Sequence, residues 1–344
     1  MRKVSIRDVA REAGVSIATV SYVLNRISTQ TISEDTQQKV RAAAARLGYV
    51  PNLNARSLTS RRTNLIGVVI PQTEPWREFM FDNPFYGALL SSLEYTARTN
   101  GYHLLLTGPR SGQSYIGIAR NRGVDGIVIV GSYPTESLDE LHQLSIPVVL
   151  VDTYVKDEAF HTIGIDDRRG GRMAVEYLLS QGHRGIAFLS GDISEHGVMR
   201  QRWLGYRDAL EAAGLPLNER RVLTGEVSFR FGLDAAGRLA AEGGISAVFA
   251  AADILGVGLV KGLRQAGKRV PEDLSVIGFD NLDLARMCDP SLTTISQDIA
   301  AKGEAAVRAI LDANSGRAEK QERIFPVELV VRESVRRVDP EVAT

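Results

Sequence analysis

A single cysteine, Cys288, in 344 residues excludes an intrachain disulfide and fits a reducing compartment. No apolar run reaches the roughly 18 residues that a membrane-spanning helix needs, and the opening "MRKVS" lacks the apolar stretch of a signal peptide. A cytoplasmic protein with no membrane partner is expected. The histidines at 103, 142, 161, 183 and 196 form no pair at metal-ligand spacing, and neither a G-x-S-x-G nor a Walker A motif occurs. No metal, cofactor or catalytic residue is therefore expected, and an enzyme is the least supported class. "DDRRGGR", residues 166–172, has the glycines of a phosphate loop without its spacing, so it reads as a strand-to-helix turn. The glycines of "ILGVGL" sit in a helical stretch and suit close helix packing.

Net charge is also missing, but the zero conceals a division. Residues 1–62 hold 11 Lys or Arg against 4 Asp or Glu, a net +7, and the remainder holds 30 against 37, a net −7. A small basic head on an acidic body points to nucleic acid as the partner of the head. Ser5 is an N-cap candidate for a helix over 6–13 that Gly14 ends, and Ser16 caps a second helix two residues later, with Val20, Val23 and Leu24 inward. A third helix over 33–47, closed by Gly48, completes a helix-turn-helix. On the opposite face of the second helix Ile17, Ala18, Ser21, Tyr22 and Asn25 recur at spacings of three and four. In a major groove Ile17 and Ala18 suit thymine methyls, and Ser21 and Tyr22 suit base edges or phosphates. Ser16, Thr19 and Asn25 suit phosphates, helped by the positive end of the helix. The alternative is that this face packs on the rest of the chain.

From Leu65 onward "LIGVVI", "YHLLL", "GIVIV", "PVVLV", "TIGI", "GIAFLS", "AVFAA" and "LSVIGF" alternate with helical stretches. The pattern predicts an α/β body of parallel sheets covered on both faces, with too many strands for one sheet and two lobes as the natural division. Asp152, Asp253 and Asp280 each follow a strand, where ligands of open α/β sheets bind and where helix caps and turns are also common.

The blocks "SIRDVAREAGVSIATVSYVLN", "ISEDTQQKVRAAAARLGYVPNLNARSL", "TNLIGVVIP", "GHRGIAFLSG", "PEDLSVIGFDN" and "DPSLTTI" occur in order along nearly the whole chain. Together they resemble the lactose-repressor and galactose-repressor (LacI/GalR) family of bacterial transcription regulators. The resemblance implies a helix-turn-helix domain over 1–50, a hinge over 51–62, and an effector-binding and dimerisation body over 63–344. That body is similar to periplasmic sugar-binding proteins, with one subdomain over 63–164 and 293–323 and the other over 165–292 and 324–340. Residues 52–60 match a hinge helix that forms on operator DNA, with Leu58 wedged into a minor-groove base step. Asn52, Ala55, Arg56 and Leu58, with Tyr49 and Ser5, join the DNA-contact set. Arg202, Asp152 and Asp280 match effector-contacting residues, and Phe85 and Tyr86 in "NPFY" suit stacking on a ligand ring and equally suit a place in the core at a helix start. A homodimer on a palindromic operator, probed by a small sugar-like effector, is the implied regulator.

The chain departs from the family pattern at several points. Tyr22 stands where many members carry Arg, Ala252 where an Asn is common, and Val227 where an aromatic is common. Residues 72–82 lengthen the link before "NPFY" and hold Trp76, Phe79, Met80 and Phe81; a cleft cap and a locally packed loop both fit. The rival functions are a periplasmic-type sugar-binding protein for transport, which leaves the head unexplained, and a regulator controlled by a protein corepressor.

Overall fold

The computed structural model describes residues 4–24, 31–49, 62–70, 80–108, 116–117, 119, 123–131, 138–154, 157–193, 197–317, 320 and 322–338. The chain divides into two compact units, Met1–Thr63 and Asn64–Thr344.

The first unit contains α1 (Ile6–Ala13), α2 (Ile17–Leu24) and α3 (Glu34–Arg46). The Asp8 carboxylate accepts hydrogen bonds from the Ser5 backbone N–H at 2.9 Å and the Ser5 hydroxyl at 2.7 Å, which ties down the first turn of α1. Gly14 ends that helix at φ 66°, a left-handed conformation that a side chain would strain. Glu34 and Asp35 in the first turn of α3 complement its dipole. Val9, Val20 and Val40, one from each helix, are completely buried, and Ala10, Val23, Ala43 and Ala44 complete this small core.

The second unit is two lobes, each with a six-stranded sheet. The first lobe holds β1 (Leu65–Val69), α4 (Pro84–Thr99), β2 (His103–Thr107), β3 (Gly126–Val130), α5 (Leu138–Leu141), β4 (Val148–Val151) and β5 (His161–Ile165). The second holds α6 (Asp167–Ser180), β6 (Ile186–Ser190), α7 (Val198–Ala212), β7 (Val222–Thr224), α8 (Phe229–Ala241), β8 (Ala247–Ala250), α9 (Asp253–Gln265), β9 (Ser275–Asp280), α10 (Asp283–Met287) and β10 (Thr293–Gln297). The chain then returns through α11 (Ile299–Asn314) and β11 (Glu322–Phe325) to the first lobe and ends with β12 (Val327–Val330) in the second. The strand orders are β11-β5-β4-β3-β1-β2 and β12-β10-β9-β8-β6-β7, all parallel except β10 with β12. Every residue of β3, β6, β8 and β9 is buried, as expected of parallel strands covered by helices on both faces.

Two of the expected lobe crossings move. Residues 293–297, assigned above to the first subdomain, form β10 beside β9, with Thr293 opposite Ile277 and Ser296 opposite Asp280. The crossing therefore falls at Asp298, not near Leu292. Residues 324 and 325 lie in β11 beside β5, so the last crossing is at Pro326. A residue without an N–H is suited to leaving one ladder before joining another.

Helix packing in the second lobe sets the positions of functional side chains. A Cβ on Gly171 of α6 would lie 2.3 Å from the Arg202 carbonyl oxygen, and one on Gly205 of α7 would lie 2.1 Å from that of Arg168. These helices cross at backbone contact, which brings Arg202 onto the start of α6. Of the glycines in "ILGVGL", Gly258 acts similarly between α9 and α8, where a Cβ would meet the Phe229 carbonyl at 2.2 Å, and Gly256 makes room for the Leu292 side chain, 2.9 Å from where its Cβ would lie. Phe188 and Tyr206 stack at 5.1 Å, and Phe249 and Phe279 extend the cluster. Each such buried ring contributes about 1.5–3 kcal/mol.

His183 follows Gly182 and is 1% exposed, with Nδ1 2.9 Å from the Ser246 hydroxyl and Nε2 3.1 Å from the Arg336 carbonyl. Burial pushes its imidazole down to about 4. A base with a depressed folded pKa contributes stability that is complete above the unfolded value, about 6.5, and is lost as pH falls through the folded one. The stability gap between the native chain and His183→Asn should therefore shrink by on the order of 3 kcal/mol from pH 7 to pH 4. Urea midpoints at the two pH values measure it, and an unchanged gap would contradict the assignment.

Candidate functional sites: a DNA-reading head and an interlobe cleft

In the first unit Ser16 caps α2. Its hydroxyl oxygen accepts from the Thr19 N–H at 3.1 Å and lies 2.9 Å from the Thr19 hydroxyl. Ser16 and Ala18 are exposed and Ile17 is 46% exposed, so the start of the helix presents its side chains to solvent. Ser21 and Tyr22 are half-buried on the same side. Ser5 hydrogen-bonds Asp8, and Tyr49 packs on the head's own core; both stay partly exposed. Asn25, Asn52, Ala55, Arg56 and Leu58 lie outside the described residues. The same holds for 72–79 of the long link; of its remaining residues Met80 packs on the first lobe's core and Phe81 is 52% exposed.

In the second unit, the strand-end acids converge on a buried polar cluster between the lobes. Arg202, 4% exposed, donates from Nε to Asp167 Oδ1 at 2.8 Å and from Nη1 to the Ala251 carbonyl at 2.6 Å and Asp280 Oδ1 at 3.3 Å. Its guanidinium lies 3.6 Å from the centroid of the Phe279 ring. Asp280 Oδ1 also accepts from Gln297 Nε2 at 2.6 Å, and the Tyr154 hydroxyl donates to Asp167 Oδ2 at 2.6 Å. On the first-lobe side Lys302 Nζ donates to both Asp152 oxygens at 2.7 Å and to Gln297 Oε1 at 2.5 Å. The chain Asp152, Lys302, Gln297, Asp280, Arg202, Asp167, Tyr154 thus runs unbroken from one lobe to the other and back.

Three carboxylates, Asp152, Asp167 and Asp280, face two cations, Arg202 and Lys302. Burial pushes Asp280 up to about 6, although Arg202 and the Gln297 hydrogen bond act against it. Burial likewise raises Asp167 against the opposing pull of Arg202, and burial followed by the neighbouring Asp167 raises Tyr154. Asp152 sits at φ 54° and Asp280 at φ 114°, conformations that cost a non-glycine residue about 1–3 kcal/mol and cluster at functional sites. The backbone is thus strained at the two strand ends that carry the acids.

A cavity of about 730 Å³ opens beside this cluster, lined from the first lobe by Pro84 and Ala88 and from the second by Asp280, Asn281, Leu284 and Gln297. Of the expected effector contacts only Asp280 lines it. A smaller hollow of about 100 Å³ is lined by Asp152, Tyr154 and Asp167. Asn83 caps α4 by accepting from the Phe85 N–H at 3.0 Å, and Pro84 follows at the first helical position. Phe85 and Tyr86 meet edge to face at 5.6 Å and are half-buried against the first lobe's core. Phe85 also lies 5.1 Å from the Lys302 ammonium. Asp253 is structural: it accepts from the Leu282 N–H at 2.8 Å and the Thr294 hydroxyl at 2.6 Å. Ala252 and Val227 are buried in the second lobe's core.

A helix-turn-helix unit and a two-lobed body with a polar cleft are the parts of a ligand-controlled DNA-binding protein, and known proteins share both. Residues 5–52 match the description "Bacterial regulatory proteins, lacI family", and residues 175–335 match "Periplasmic binding protein-like domain". The chain is 38% identical to the HTH-type transcriptional regulator DegA of Bacillus subtilis (strain 168), over 96% of this chain and 98% of the relative. The chain belongs to the lacI family of bacterial regulatory proteins. Among solved structures, the Lac repressor dimer bound to operator and the anti-inducer ONPF aligns with a TM-score of 0.83 at 27% identity, over 97% of this chain and all of that one. The complex of the transcriptional regulator CelR with cellobiose aligns with a TM-score of 0.70 at 30% identity, over 96% of this chain and all of that one.

Sequence reading missed Tyr154, Asp167, Gln297 and above all Lys302. The signal for Lys302 was present. In "IAAKGEAAVRAIL" it falls three residues after Ile299 and four before Ala306, on the face that Ile310 continues, and a lysine on an apolar helical face requires a buried partner.

Proposed function

We propose that the chain is a dimeric repressor that holds a palindromic operator through its head and is controlled by a sugar or sugar derivative in the interlobe cleft. The observation that carries this reading is the buried Arg202–Asp280 pair, at a strained strand end, beside a cavity large enough for a small ligand. A fixed guanidinium beside a fixed carboxylate offers donors and acceptors together, which suits adjacent hydroxyls. The head contributes Ser16, Ile17, Ala18, Thr19, Ser21, Tyr22 and Asn25, and the hinge contributes Asn52, Ala55, Arg56 and Leu58. No chemical transformation is required, and the cytoplasm, where operator DNA lies, is the site of action.

Control follows from linkage. A ligand that prefers one lobe arrangement shifts operator affinity only if DNA also prefers one, and the coupling is reciprocal. Thermal-shift titration of a panel of monosaccharides and disaccharides, repeated with operator duplex, tests the reading. At least one sugar should raise the melting temperature and change operator affinity by about 5–150-fold. A panel in which no sugar does either would remove sugars as the effector class.

A further inference from the structure

Lys302 is completely buried, and an ammonium has three N–H donors. All three are committed, two to the Asp152 oxygens and one to Gln297 Oε1, and the Phe85 ring lies 5.1 Å away. A carboxylate, an amide oxygen and an aromatic face are the set of groups that recognises a primary amine. Here Gln297 also lines the larger interlobe cavity and Asp152 the smaller hollow, and together with Phe85 they hold an amine of the chain itself. Asp152, expected from the resemblance to meet the effector, instead has both oxygens on Lys302.

We propose that Asp152, Gln297 and Phe85 form an ammonium-binding subsite that Lys302 fills from within, and that Lys302 is thereby the specificity-determining residue of the cleft. It excludes ligands bearing an amine and leaves Arg202 and Asp280 to read a neutral, hydroxyl-rich effector. An external amine must displace a tethered one, whose effective concentration is set by its own helix. This inference rests on the cleft being the effector site.

The probe is n-propylammonium chloride, which replaces the lysine chain from Cγ to Nζ, added to full-length Lys302→Ala. The variant should melt below the native chain. Propylammonium at roughly five times its dissociation constant should raise its melting temperature by about 1–2 °C, whereas 1-propanol and sodium chloride should not. The native chain should show no amine-specific shift, and neither should the double variant Asp152→Asn/Lys302→Ala. Equal shifts with amine and controls, an amine shift that survives Asp152→Asn, or one in the native chain would each overturn the proposal. Should Lys302→Ala not fold alone, its refolding yield with and without propylammonium reads the same subsite. No amine-dependent recovery, while the double variant folds, refutes it; failure of both variants to fold makes Lys302 a packing residue and refutes it equally. None of these measurements uses DNA or effector, so failure here is distinct from failure of the sugar titration.

Discussion

Arg202→Met is expected to lower the stability of the chain by about 3–5 kcal/mol at pH 7.5. The guanidinium gives hydrogen bonds to Asp167, Asp280 and the Ala251 carbonyl from a position 4% exposed. Methionine fills similar space but supplies no donor, so two buried carboxylates are left with only the Gln297 and Tyr154 donors and no neutralising cation of their own, and the Ala251 carbonyl loses its guanidinium. The apolar burial gained, about 1.5–3 kcal/mol at most, does not offset this. The loss should also depend on pH. Asp280 already titrates at about 6 in the folded chain, above the roughly 3.9 of an unfolded aspartate. A carboxyl raised in this way contributes stability that is complete below the unfolded value and is lost as pH rises through the folded one. Arg202 opposes that rise, so removing it extends the loss to higher pH. Urea denaturation should accordingly show a smaller deficit at pH 5 than at pH 7.5, and Asp280→Asn in the Arg202→Met background should recover part of it. An equal deficit at both pH values, with no recovery, would mean that Arg202 acts through packing alone.

The features legible in the sequence were those with a local cause. Three helices, two of them opened by serine caps and two closed by glycines, and eight strands announced by runs of Val, Ile and Leu, all appear where the pattern places them. The four strands that went unread are the short or polar ones: Val222–Thr224, Thr293–Gln297, Glu322–Phe325 and Val327–Val330. Thr293–Gln297 is buried yet carries Thr, Ser and Gln, because Thr294 satisfies Asp253, and Gln297 joins Asp280 to Lys302. Missing that strand displaced a lobe crossing by several residues. The strand-end rule and the resemblance singled out Asp152, Asp280 and Arg202, but neither says what such a residue touches. That Asp152 meets Lys302, 150 positions later, depends on α11 returning across the first lobe, a tertiary fact with no local signature.

Binding of the full-length protein to its operator should weaken by about 10³–10⁵-fold between roughly 50 and 200 mM salt, as for proteins that neutralise about 6–10 phosphates. The head's excess of seven positive charges over residues 1–62 is the motivation, since the body opposes it with an equal negative excess. The slope of log affinity against log salt counts displaced counterions and is blind to sequence. Leu58→Ala addresses the other contribution. An apolar wedge that offsets the few kcal/mol of unstacking a base step acts only where the duplex is bent to receive it. Anisotropy titrations should therefore show Leu58→Ala losing roughly tenfold or more on a palindromic duplex selected from a randomised pool, with little change on random duplex. The salt slope on both should stay near its native value. A shallow native slope would sink the electrostatic assignment of the head. Equal losses on the two duplexes, with a reduced slope, would instead place residue 58 among the groups that merely keep the hinge near the phosphates.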